Sequence, residues 1–280
     1  MAADLRADLD DSGAESRMVE AGGVSLHALD FGGTAPPVLV LPGITSPAIT
    51  WEFVARELAG SVRPVVADLR GRGLSGAPQD GSHAIEDYAD DAAALIDGLG
   101  LNRPIVLGHS FGARIGAALA VRHPDAAGSL VLVDPPLSGP GRDPYPTSLD
   151  AFLGQLAEAQ AGTTADAVGA HWPSWPRREL ELRARWLATC DETAVVETYR
   201  GFETDDFLDW WRAVPTPTLF VRGGLSPVVS EAGARELAQI RPDIPIAVVP
   251  DAGHMVPWDN LPGFVAAVEG FLRDHGERSN

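Results

Sequence analysis

Gly108-His109-Ser110-Phe111-Gly112 decides how this sequence of 280 residues folds. The apolar run Pro104-Ile105-Val106-Leu107 leads into it. A small-residue helical pattern, Ala113-Arg114-Ile115-Gly116-Ala117-Ala118-Leu119-Ala120, leads out. Strand, G-x-S-x-G and helix in that order put a serine on a strained turn with its hydroxyl exposed above a sheet. Glycines flank it because strand and helix pass too close for a side chain. The motif is short, and the plainer alternative is an ordinary βα turn with a solvated serine. The strand-to-helix context favours a nucleophile.

From about residue 17 outward, strand-like and helix-like segments alternate, as an α/β sheet requires. Val24-Ser25-Leu26-His27-Ala28-Leu29 alternates like an exposed antiparallel strand. Val38-Leu39-Val40-Leu41, Val65-Val66-Ala67 and Leu130-Val131-Leu132-Val133 read as buried parallel strands. Ile85, Tyr88, Ala92, Leu95, Ile96 and Leu99 recur at helical spacing, with Gly98 and Gly100 closing that helix. Residues 138–212 change character: a Gly/Pro-rich start gives way to helical patterns holding Trp172, Trp175, Trp186, Trp210 and Trp211, five of the seven tryptophans. Large aromatics in an inserted helical segment suit a lid that walls a pocket, and equally a small helical subdomain. Strands return at Thr218-Leu219-Phe220-Val221 and Ile246-Ala247-Val248-Val249, before a last helix over Phe264, Val268 and Leu272. The expected division is an acidic, disordered lead-in over 1–16, an α/β core over 17–137 and 213–280, and a helical lid over 138–212.

Composition narrows the function. A net charge of -18 argues against nucleic acid or an anionic membrane as partner. The N-terminus lacks the apolar stretch of a signal peptide and no run is long enough for a membrane span, so the expected location is cytoplasmic. Cys190 is the single cysteine, which excludes an intrachain disulfide and offers no thiolate metal site. No metal or other cofactor is called for. All 21 basic residues are arginine. Without lysine there is no Schiff-base or lysine-base chemistry, and an anionic substrate must be held by local arginines.

A serine at its ordinary pKa needs a base oriented by a carboxylate. Among the seven histidines, His254 follows the last strand in Pro250-Asp251-Ala252-Gly253-His254-Met255, at the expected active edge. His109 adjoins the serine but points away along the turn; His27, His83, His123, His171 and His275 read as strand or surface positions. The acid commonly follows the strand before the histidine strand. Here that loop, Arg222-Gly223-Gly224-Leu225-Ser226-Pro227-Val228-Val229, has no carboxylate until Glu231. Asp134 ends the preceding strand, and neighbouring parallel strands lie close enough for its carboxylate to reach the same imidazole. It could instead cap the turn before Pro135-Pro136; Glu231 and Asp251 are the reserves. The oxyanion hole is expected from the backbone N–H groups of Phe111 and Ile44.

Together these residues resemble the α/β-hydrolase superfamily over residues 17 to 275. The resemblance implies a mostly parallel eight-stranded sheet flanked by helices, with an inserted helical lid. Asp68-Leu69-Arg70-Gly71-Arg72-Gly73-Leu74-Ser75 matches a loop that is usually structural there. Leu41 through Trp51, Val131 through Pro136, Ser138 through Arg142, Leu182-Arg183-Ala184, Trp186-Leu187 and Gly253 through Asp259 look like the N-formylmaleamate deformylases of aerobic nicotinate breakdown. That family has its triad at positions matching Ser110, Asp134 and His254. Val221 through Ser230 and Arg241 through Pro245 are similar to an amidohydrolase of vitamin B6 breakdown that cleaves acylaminomethylene-succinates. The resemblance implies hydrolysis of an acylated nitrogen beside an unsaturated carboxylate, with Arg183, then Arg142, as candidate carboxylate clamps. Arg114 is expected to brace its helix. A carboxylesterase, a carbon–carbon bond hydrolase, a cofactor-free oxygen or halide enzyme, and a slow-turnover ligand receptor remain open on this scaffold.

Overall fold

The computed structural model describes residues 2–78, 82–215 and 217–276. Its framework is one sheet in the order β1-β2-β4-β3-β5-β6-β7-β8. The strands are β1 (Glu15–Ala21), β2 (Val24–Asp30), β3 (Pro37–Leu41), β4 (Arg63–Ala67), β5 (Ile105–His109), β6 (Ser129–Val133), β7 (Thr218–Gly223) and β8 (Ile246–Val249). β2 runs antiparallel to β1 and β4, and every pairing from β4 through β8 is parallel.

Alternation along the central strands explains why they read as unbroken apolar runs. Leu39, Leu41, Val106, Leu130 and Leu132 join one buried layer. Val38, Val40, Leu107, Val131 and Val133 join the other. Both faces are therefore covered, as in parallel sheets generally. Helices Ile85–Gly98 and Phe111–Arg122 lie over the first face, and Glu52–Leu58 and Leu261–Gly276 over the second.

Three expectations need correction. β2 is buried, not exposed, because the 68–75 loop folds over it: Ser75 Oγ accepts the His27 N–H at 2.8 Å and His27 Nδ1 bonds Asp68 Oδ2 at 2.7 Å. Asp68 Oδ1 also accepts the Ala48 N–H at 2.6 Å, so this loop is a structural clamp. The lead-in is ordered rather than disordered: residues Ala2–Ser12 form a helix and β1 starts at Glu15. Its anchor is Asp8, which accepts from Arg178, Arg185 and the Trp186 indole. Finally, the segment over 138–212 carries several helices, but the last of them, Phe207–Ala213, packs on the sheet and does not wall the pocket. Trp211 is fully buried edge-on against Phe220 of β7, with ring centres 5.5 Å apart. Among the described residues no helix is long and apolar enough to cross a membrane.

Candidate active site

The C-terminal ends of β3, β5, β6 and β7 carry loops on one edge of the sheet, where parallel α/β sheets commonly bind ligands. Ser110 follows β5 with φ 55° and ψ -117°, a sparsely populated conformation costing about 1–3 kcal/mol. The surroundings hold it there. Its N–H donates to Val133 O at 2.8 Å. A Cβ on Gly112 would lie 1.9 Å from Leu41 O, so only glycine lets helix and β3 approach this closely.

His254 Nε2 lies 3.0 Å from Ser110 Oγ, and its Nδ1 lies 2.8 Å from Asp134 Oδ2. An ionised carboxylate only accepts, so Nδ1 carries the proton and Nε2 is left to take the serine hydrogen. Asp134 is completely buried at the end of β6. It is satisfied there by the Ser226 hydroxyl at 2.5 Å and the Gly223 N–H at 3.3 Å, besides His254. Ser226 stands in the very loop that lacks a carboxylate. The reserve acids lie elsewhere: Glu231 is exposed and pairs with Arg235, and Asp251 is exposed on its turn.

His109 is fully buried, and burial together with the neighbouring His254 lowers its pKa to about 3. As a neutral ring it donates from Nε2 to His254 O at 2.9 Å, so it steadies the loop that carries His254. Asp259 Oδ2 steadies the same loop through the Gly253 N–H at 2.8 Å. Burial, with Arg72 and Arg70 nearby, lowers His83 to about 4. His27 is committed to Asp68 and His123 to Asp90. His171 is exposed at the surface, where it stands at the mouth of the pocket next to Trp172.

That pocket, about 260 Å³, opens over Ser110 and His254. Gly43 and Ile44 form its floor, and an ideal Cβ on Gly43 would meet Ser110 Cβ at 3.4 Å. The Phe111 N–H is the first of its helix and has no intrahelical acceptor. Arg72, fully buried, holds this floor by donating from Nε to Ile44 O at 3.0 Å and from Nη2 to Thr198 Oγ1 at 2.8 Å. Of the five tryptophans in the inserted segment, Trp172 and Trp175 line the pocket, stacked with centres 4.7 Å apart. Trp175 stacks in turn on Trp258 at 5.4 Å.

The two candidate clamps part company. Arg183 is in the pocket, buried, and donates to Thr45 O at 2.5 Å, Thr45 Oγ1 at 3.1 Å and Gln155 Oε1 at 3.2 Å. Among the described residues no carboxylate neutralises it, and burial pulls its pKa below the ordinary guanidinium value. Arg142 is a correction. It forms a two-pronged pair with Glu236 at 3.0 and 2.6 Å and faces a separate cavity of about 420 Å³. A glutamate partner beyond the reach of any local sequence pattern therefore removes Arg142 from the site. Arg114 is buried over Phe202 and bonds Asp205 O, with burial lowering its pKa to about 10. Sequence reasoning missed Tyr145, whose hydroxyl lies 3.2 Å from His254 Nε2. It sits in a Pro-rich connection with no periodicity to mark it.

A strained serine at a strand-to-helix turn, on a sheet of this order, defines a class. Residues 38–268 match the Alpha/beta hydrolase family, and the chain belongs to it. Within that family, N-formylmaleamate deformylase of Pseudomonas putida is 41% identical over 257 residues, 92% of this chain and 96% of that protein. A crystal structure of N-formylmaleamic acid deformylase from the same species matches with a TM-score of 0.86 at 40% identity, covering 91% of this chain and all (100%) of that one. The 2-(acetamidomethylene)succinate hydrolase of Mesorhizobium japonicum is 34% identical over 266 residues, 90% of this chain and 93% of its own. The resemblance stated from the sequence is thus borne out across nearly the whole chain.

Proposed function

We propose that the protein is a serine hydrolase that cleaves the C–N bond of an N-formyl amide bearing a carboxylate, converting N-formylmaleamate and water to maleamate and formate. The reading rests above all on the unbroken hydrogen-bond chain from Ser110 Oγ through His254 to Asp134 Oδ2. Similarity to the deformylase, at 41% identity, supports the choice of substrate.

In this reading Ser110 gives its proton to His254 Nε2 and attacks the formyl carbon. The N–H groups of Ile44 and Phe111 hold the oxyanion, and one such donor is worth about 2.7–4 kcal/mol of transition-state stabilisation. Asp134 keeps the imidazole in register and stabilises its charged form. His254 then protonates the departing nitrogen, and water, deprotonated by the same imidazole, releases formate from the formyl-serine. Arg183 binds the substrate carboxylate. Among the described residues that line the pocket it is the one guanidinium, which suits a monocarboxylate better than a succinate with two negative groups. The proposal includes a cytoplasmic setting, where Cys190, buried and free, remains a thiol.

Purified protein incubated with N-formylmaleamate releases formate stoichiometrically, and Ser110→Ala abolishes that release. Formate production that survives the serine deletion, or none from the unaltered protein, rejects the proposal.

A further inference from the structure

The departing group in the proposed reaction is unusual, and one side chain meets its needs. When the C–N bond of an N-formyl amide breaks, the electron pair spreads from nitrogen onto the carbonyl oxygen of the departing amide. A hydrogen-bond donor at that oxygen lowers the barrier, whereas an amine leaving group has nothing for it to hold.

Tyr145 lies on the connection between β6 and the Leu149–Gln160 helix and lines the pocket. Its hydroxyl is 3.2 Å from His254 Nε2, the atom that must protonate the leaving nitrogen, and within reach of the Ser110 side chain. Aromatic neighbours fix the ring: Phe202 at 5.1 Å and Phe152 at 6.1 Å between centres. Burial, reinforced by the Asp134 charge, pushes the phenol above its ordinary pKa, so it stays a donor. Catalysis by this site needs no proton from it: the proton that Ser110 gives to Nε2 passes to the leaving nitrogen, and Ser110 regains one, through the same imidazole, from the water that cleaves the formyl-serine.

We infer that Tyr145 is a catalytic hydrogen-bond donor to the leaving group, holding the oxygen of the departing amide as the C–N bond breaks. In the resting site its O–H shares the Nε2 lone pair with Ser110. Once Nε2 has taken the serine proton it becomes a donor, the phenol oxygen accepts from it, and the phenol hydrogen turns outward to the substrate. His254 Nε2–H then passes to nitrogen, the Tyr145 proton stays on its own oxygen, and a neutral primary amide leaves. This assignment rests on and extends the deformylase reading, but the donor role applies to any leaving group whose oxygen gathers negative charge as the bond breaks, a basic phenol included.

The test compares the unaltered protein with Tyr145→Phe on aryl esters of one short acid with increasingly basic phenols, and on N-formylmaleamate. The expected loss in kcat is a few-fold at most for the p-nitrophenyl ester, growing to about 10²-fold for the unsubstituted phenyl ester and the amide. Replacement of Tyr145 by 3-fluorotyrosine, an isosteric and stronger donor, moves the leaving-group dependence the opposite way and stands in should the phenylalanine variant misfold. A ratio that is flat across the esters, or equal losses on every substrate, overturns the inference. A rising ester ratio with no formate from N-formylmaleamate keeps Tyr145 and overturns only the substrate.

Discussion

Asp134 and Ser226 together show how an acid can sit on an earlier strand without changing the chemistry. Moving the carboxylate from the loop after β7 to the end of β6 leaves a space where it would otherwise lie. Ser226 fills that space and donates to Asp134 at 2.5 Å, while its oxygen accepts the Val228 N–H at 3.1 Å. The missing carboxylate was readable as an absence; the serine that compensates for it was not, since serine in such a loop has many uses. Arg183 poses the opposite problem, a buried guanidinium whose partners are neutral. A substrate carboxylate would supply the missing counter-charge, so Arg183→Met should raise KM or lower kcat for the carboxylate substrate, by about 3–5 kcal/mol in kcat/KM if the pair forms fully buried. Neutral p-nitrophenyl esters should turn over nearly unchanged. Comparable losses on both substrates would show that Arg183 only ties Thr45 to Gln155.

At the scale of elements, the strands, the elbow and the His254 loop were legible because each is specified locally: apolar runs for strands, two glycines for the turn. The N-terminal helix was not. Asp4, Asp8, Asp10 and Asp11 make it look like a solvated tail. Its order depends on arginines about 170 positions away, on the same Arg177–Trp186 helix that carries Arg183. Burial by itself would raise the Asp8 pKa, but hydrogen bonds from Arg185 and Trp186 and the charges of Arg185 and Arg178 hold it below 3.8. A carboxyl whose folded pKa lies below the unfolded one adds stability above the unfolded value and loses it as pH falls through the folded value. Asp8→Asn should therefore cost about 1.5–3 kcal/mol in urea unfolding near pH 6. The gap to the unaltered protein should close as pH drops below 3.8. A gap independent of pH would mean that Asp8 acts by shape and not by charge.

For the molecule as a whole, charge and site pull against each other. A surface carrying -18 repels an anionic substrate, while the pocket offers it a buried arginine. The two act at different ranges. Repulsion by exposed carboxylates reaches about 30 Å at 0.01 M salt and only about 10 Å at 0.1 M, whereas contact between Arg183 and a desolvated carboxylate is screened much less. Added salt should thus help approach more than it harms binding. For N-formylmaleamate, kcat/KM should climb several-fold between about 0.01 and 0.1 M sodium chloride, and for a neutral ester it should stay level. The comparison between substrates removes any general effect of salt on stability, because both share one enzyme and one triad. If kcat/KM for the anion instead falls with salt, the local field at the pocket mouth outweighs the net charge, and the acidic surface must be distributed away from the approach to Ser110.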